Sequence, residues 1–189
     1  MVKERKDVPK LSDVWSSKDA PIMGANVSVD QPKIQFRFVS GDNNDKHDLL
    51  RRAYDEIYLP AFPTASERDS FETIMNVIDD GFPNMKGVAV VAEDLSGVAD
   101  GSAPTLAGIG LGYYFVKQNV ALLAFNAISP NYQSCGLGKK MVEMRTEALD
   151  QLAKSYKKNL AAMFVDLKSP MKDIGHQDVM DTNKRKAIF

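Results

Sequence analysis

From Val120 to Ile128 the chain is apolar at every position but Asn126, and at Leu137 a long helical pattern begins. Between the two lies the turn Gln133-Ser134-Cys135-Gly136-Leu137-Gly138-Lys139-Lys140. A strand that runs through a glycine turn into a helix start constrains the fold more than any other feature here. The first turn of a helix carries unpaired N–H donors and the positive end of the macrodipole. Such a turn is a ready anion site, and phosphate suits it. Gly136 and Gly138 have no Cβ, which lets a ligand approach the backbone.

The rest of the pattern supplies elements around that turn. Residues 1–33 are polar, with Pro9, Pro21 and Pro32, and read as an extension that Trp15 docks onto the body as a surface anchor. A domain over 34–189 begins with Ile34, Phe36 and Phe38 alternating with Gln35 and Arg37, the period of a half-buried strand. Leu49, Leu50, Ala53, Tyr54 and Ile57 share one helical face, and Pro60 and Pro63 are expected to break that helix. A second helix is expected near Ser66, with Asp69 as its capping partner, an inner stripe of Phe71, Ile74, Met75 and Ile78, and Gly81 at its end. Strands are predicted over 88–92, 106–116 and 120–128, with a mobile hairpin loop over 94–104. Leu137, Met141, Met144, Ala148 and Leu152 fall on one face of the long helix, and a further strand is predicted over 160–165.

The spacing of the turn tests its alternatives. A Walker loop ending at Gly138-Lys139 needs Gly at 133 and Ser or Thr at 140, where this chain has Gln133 and Lys140. A dinucleotide fingerprint from Gly136 fails at Met141, and one from Gly108 fails at Tyr113. What remains, Gln133-x-x-Gly136-x-Gly138, resembles the cofactor signature of the GNAT superfamily of N-acetyltransferases. The order strand, helix, helix, three strands, helix, strand is similar to that family over roughly residues 34–170. The resemblance implies an α/β (α+β) fold with a mixed, mostly antiparallel central sheet flanked by helices. Its central strand and the strand after the long helix would splay apart to hold the cofactor.

By that resemblance acetyl-CoA is the co-substrate. Gln133, Ser134, Cys135, Gly136, Leu137, Gly138 and Lys139 would bind its pyrophosphate, and Ile128 would pair with pantetheine. The backbone amide of Asn126 would polarise the thioester carbonyl for direct transfer to a primary amine, on a small molecule or a protein. Cys135 lies at the pyrophosphate end, away from the thioester, and reads as a loop residue rather than a nucleophile. An acceptor amine such as that of lysine, with a pKa of about 10, must lose a proton before attack. The central strand has no Asp or Glu to take it, so the general base is unassigned; Tyr113, Tyr114, Glu93 and Asp166, near strand ends, are candidates. Gly108, Gly110 and Gly112 share one strand face, and leave room either for an acceptor or for a closely packed helix.

Two departures favour a rival reading, a catalytically silent CoA-binding or protein-interaction module. One is the missing central-strand carboxylate. The other is the C-terminus: Asn183 to Phe189 resembles the start of a helix that the family follows with two more strands, so the expectation is a domain shortened there, with an open sheet edge suited to a homodimer. Composition bounds the rest. With 189 residues, 44% hydrophobic and 26% charged, the chain is long enough for one well-cored domain. A net charge of −1 implies no attraction to nucleic acid or anionic lipid. No apolar run suits a signal or a membrane span, and a lone Cys135 forms no internal disulfide, so a cytoplasmic setting is expected. One Cys with only His47 and His176 excludes a Cys-rich or His-rich metal site, and nothing marks a carboxylate one.

Overall fold

In the computed structural model, residues 32–39, 44–79, 82–98 and 103–166 are described, residues 44–46 for their backbone only. The expected docking of Trp15, the turn before Asn44, Gly81 at a helix end and the helix start at Asn183 all lie outside the described residues.

The alternating start forms β1 (Ile34–Val39). Helix α1 (Asn44–Ala53) passes without a break into a π turn (Tyr54–Tyr58) and a last α turn (Leu59–Ala61). Pro60 therefore does not break this helix as expected. It has no N–H to give, and the wider turn just before it, where the Leu59 N–H bonds the Tyr54 carbonyl, absorbs the misfit. The helix ends ahead of Pro63 instead.

The expected helix start at Ser66 is also wrong. Ala65–Glu67 is a single 3-10 turn, and α2 (Phe71–Ile78) is capped by Ser70, whose hydroxyl accepts from the Thr73 N–H at 3.1 Å. Asp69 is not a capping partner. His47 on α1 meets Asp79 after α2 at 3.1 Å, which ties the two helices together.

Three strands then follow in a meander: β2 (Met85–Asp94), β3 (Thr105–Phe115) and β4 (Val120–Ile128) extend the sheet from β1, each antiparallel to its neighbour. Helix α3 (Leu137–Ser155) crosses over to β5 (Ala162–Val165), which pairs parallel to β4 and gives the order β1-β2-β3-β4-β5. The sheet is thus mixed and mostly antiparallel, with helices on both faces. β2 is longer than its apolar run because Lys86, Glu93 and the flanking residues still find partners on β3. β5 is shorter, and Leu160 instead packs beside α3.

Both faces of β2 and β3 are buried, so their sequences are nearly continuous apolar runs. Ala89, Val91, Ile109 and Leu111 pack under Leu50, Tyr54, Ile57, Tyr58 and Ile74. Val88, Val90, Ala92 and Tyr114 lie on the α3 side. The three glycines of β3 also lie on that side. A Cβ would come within 2.7 Å of Met141 at Gly108, 2.7 Å of Arg145 at Gly110 and 2.9 Å of Leu149 at Gly112. Their role is close packing under α3, not room for an acceptor. Among the described residues no helix is long and apolar enough to cross a membrane.

Candidate functional site

The site is built around the carboxyl half of β4. β5 pairs with β4 only from Val120↔Ala162 to Leu123↔Val165. Beyond Leu123, nothing among the described residues pairs with the outer edge of β4. β5 is paired over its whole length and ends level with the midpoint of β4, and the half of β4 beyond Leu123 leads straight into the 133–138 turn.

The turn itself is an anion-shaped piece of backbone. Ser134 has φ 67° and Gly136 φ 81°, so two residues in the left-handed region flank Cys135. Successive N–H groups in such a conformation converge into a concave nest. Gly136 occupies the α3 cap position with no side-chain cap, and the first intrahelical bond runs from the Lys140 N–H to the Gly136 carbonyl at 3.1 Å. The N–H groups of Leu137, Gly138 and Lys139 thus have no acceptor within the helix. A Cβ on Gly136 would meet nothing within 4 Å, so its glycine serves the backbone angle and leaves the approach open.

The side chains of the sequence-assigned residues divide by role. Gln133 is exposed, and its Nε2 donates to the Ile128 carbonyl at 3.3 Å, which ties the turn to the end of β4. Cys135 is exposed with its Sγ 2.9 Å from the Tyr132 carbonyl. Leu137 is buried with Ile128 and Met141, so only its N–H can serve a ligand. Lys139 is exposed, while Lys140 is engaged with Glu143 at 3.1 Å. Asn126 faces α3: its Nδ2 donates to the Gly138 carbonyl at 3.3 Å, while its buried Oδ1 has no partner. The Asn126 position, Ile128 and the whole turn are therefore brought together at one end of β4.

The candidate bases are not. Tyr114 pairs with Ala121 at the opposite end of β4, and its hydroxyl donates to Asn119. Asp166 is exposed after β5. Glu93 is buried on β2, 3.7 Å from Arg37. Tyr113 donates to Asp69 Oδ2 at 2.6 Å, and burial, together with that bond, pushes its hydroxyl well above the ordinary tyrosine range.

Several participants escaped the sequence reading. Asp69, between α1 and α2, is gripped by three tyrosines: besides Tyr113, the Tyr58 hydroxyl accepts from its N–H at 3.0 Å and the Tyr54 hydroxyl donates to its carbonyl at 3.2 Å. Phe125 meets Tyr58 and Phe62 edge-on and Phe62 tilts against Tyr58, with ring centroids 5.0–5.2 Å apart, on the same side of β4. Tyr132, just before the turn, donates to Asp94 Oδ2 at 2.9 Å and pins the turn to the end of β2. Burial raises Asp94, but hydrogen bonds from the Ser96 hydroxyl and amide and from Tyr132 outweigh it and leave the carboxyl below its usual range. An aromatic before the turn and an Asp after an apolar strand were the available signals. Arg145, fully buried on α3, had none, since it sits on a helix face that otherwise reads as apolar.

No family model and no curated protein sequence matches the chain. Solved structures similar to it include AAC(6')-Iy in complex with the bisubstrate analogue CoA-S-monomethyl-acetylneamine, at 13% identity and a TM-score of 0.46, over 82% of this chain and 88% of that one. A ribosomal-protein-alanine N-acetyltransferase from Brucella melitensis biovar Abortus 2308 is similar at 12% identity and a TM-score of 0.41, over 74% and 84%. The catalytic domain of the Tetrahymena GCN5 histone acetyltransferase in complex with coenzyme A is similar at 15% identity and a TM-score of 0.41, over 70% and 68%.

Proposed function

We propose that this chain is a GNAT-type acyl-CoA N-acyltransferase that moves an acetyl group from acetyl-CoA to a primary amine. The observation that carries the reading is that β4–β5 pairing ends at Leu123, which leaves the carboxyl half of β4 without an outer partner among the described residues, ahead of the Ser134–Gly136 nest. An open strand edge can receive the amide groups of a pantetheine arm as an added strand. The nest and the free N–H groups of Leu137, Gly138 and Lys139 suit the pyrophosphate, assisted by Gln133, Ser134, Cys135 and Gly136 as loop backbone. Ile128 is the pairing position nearest the turn, and the Asn126 amide is the donor nearest the thioester.

In this reading the amine nitrogen attacks the thioester carbonyl carbon, and the oxyanion that forms is held by the Asn126 N–H. The C–S bond then breaks. The nitrogen gives up a proton and the departing thiolate gains one, so the products are an amide and the free thiol. No strand carboxylate takes the proton, and solvent at the open edge is the route assigned to it. The setting is cytoplasmic, and the exposed Phe164 and Val165 on β5 are the proposed contact of a homodimer.

Calorimetry with acetyl-CoA and a thiol-release assay over a panel of amines test the proposal. Binding that is lost in Gly136→Asp, with thiol release dependent on an amine, supports it. Binding without release by any amine supports the silent module instead, which the lack of an acidic residue on β4 favours. No binding by the folded wild-type chain overturns both.

A further inference from the structure

Arg145 is a charged residue with no part in the chemistry above, yet it is completely buried. It sits on the inner face of α3 directly over Gly110, where any Cβ would come within 2.7 Å of its Cδ and Nε. Its Nη1 donates to the Leu111 carbonyl at 2.8 Å and to the Phe125 carbonyl at 2.5 Å, and its Nε to the Met141 carbonyl at 3.4 Å. Nη2 has no partner, and among the described residues no carboxylate pairs with the guanidinium. Burial lowers its pKa to about 10, which still leaves a cation at neutral pH. An unpaired cation in a core is costly, so a purely structural need would be met better by an apolar side chain.

The two carbonyls that Arg145 holds flank an irregularity in the sheet. Leu111 pairs with Phe125, but Gly112 pairs with Leu123, so Ala124 is an extra residue in β4. It reverses the faces of the strand. Ala121 and Leu123 lie under α3, whereas Phe125, two residues on from Leu123, packs against Tyr58 and Phe62 on the other side. Asn126 and Ile128 then turn toward α3. The bulge also falls where β5 stops, because Leu123↔Val165 is the last pair. A bulge disrupts the ladder beside it, and a planar guanidinium is the side chain that can donate to two carbonyls flanking it at once.

We infer that Arg145 is a positioning residue: it clamps the Ala124 bulge and thereby fixes which amides of β4, Asn126 above all, face the open edge where the thioester lies. This rests on the acyl-transfer reading. Alternate residues of a strand direct their N–H groups to opposite edges, so a strand relaxed by one residue would turn the Asn126 amide away from the reacting carbonyl. The cofactor turn, by contrast, lies beyond the bulge and is anchored separately by Tyr132 and Gln133.

The test is a split between binding and turnover in the full chain. Acetyl-CoA affinity is measured by calorimetry and kcat by thiol release, for wild type, Arg145→Met and Arg145→Lys. The expected result for folded Arg145→Met is a Kd within about 2-fold of wild type and a kcat lower by about 100-fold, the scale of a misplacement of about 1 Å. Lysine keeps the charge but cannot hold both carbonyls, so Arg145→Lys falls between the two. A folded Arg145→Met with wild-type kcat, or with a loss in kcat matched by an equal loss in affinity, overturns the inference. Should Arg145→Met not fold, Arg145→Lys is judged by the same criterion. A wild-type chain that binds no acetyl-CoA overturns the acyl-transfer reading itself, and this inference with it.

Discussion

Cys135 shows how one residue's place decides its role. It is exposed at the centre of the nest, with its thiol turned back to the Tyr132 carbonyl. An exposed thiol in a candidate transferase invites a covalent mechanism, yet in the proposed reading it stands at the phosphate end of the site, past Ile128 from Asn126. Under direct transfer Cys135→Ser should keep kcat within about 2-fold, and mass spectrometry after incubation with acetyl-CoA should find no acetyl group on this residue. A turnover-competent acetyl-cysteine would replace direct transfer with a two-step route. The place of Cys135 in an exposed glycine turn was legible from the motif alone. Asp69 was not: it was read as a helix cap, whereas its carboxylate, N–H and carbonyl are each taken by a different tyrosine, 44, 11 and 15 residues away. Local spacing cannot report a partner 44 residues away.

At the scale of elements, two helix starts contrast. Helix α2 begins with a side-chain cap, so Ser70→Ala should cost about 1 kcal/mol, read as a fall in Tm of roughly 2–4 °C. Helix α3 begins with Gly136 at φ 81° and no side-chain cap. Gly136→Ala puts a Cβ into open space but into an unfavourable backbone region, a cost of about 1–2 kcal/mol. Bound acetyl-CoA should then widen the gap in Tm between Gly136→Ala and wild type, because relaxing the angle also spoils the nest and weakens binding. If saturating ligand leaves the gap unchanged, the turn's conformation matters only to folding. Periodicity made β1, β4 and the core faces of α1 and α3 legible from the sequence, since each buries one stripe or one run. It misjudged Pro60, because a π turn is a tertiary accommodation with no local signature. It also missed the Ala124 bulge, since an all-apolar strand shows no alternation whose reversal could be seen.

Across the whole molecule the sheet divides its two faces between two kinds of work. The α3 face carries the turn, Asn126 and Arg145, while the α1 face gathers Tyr54, Tyr58, Phe62, Tyr113 and Phe125 around Asp69. The second cluster makes the fold sensitive to alkali. Burial raises the hydroxyls of Tyr113 and Tyr58 above the ordinary value of 10.0, and Tyr113 is held further in its neutral form by donating to Asp69. In the unfolded chain both ionise near pH 10; in the folded chain they do not, so above that pH the unfolded state holds fewer protons. Stability from these two groups is therefore full below pH 10 and declines as pH rises above it. Tm measured from pH 8 to 11.5 should be flat at first and then fall. Tyr113→Phe should lower Tm at pH 8, where losing a buried hydrogen bond costs about 1–2 kcal/mol, and fall less steeply above pH 10, because one ionisation has been removed. Parallel alkaline slopes in the two proteins would mean that Tyr113 ionises in the folded state as readily as in the unfolded one, and that its bond to Asp69 does not hold this face of the sheet together.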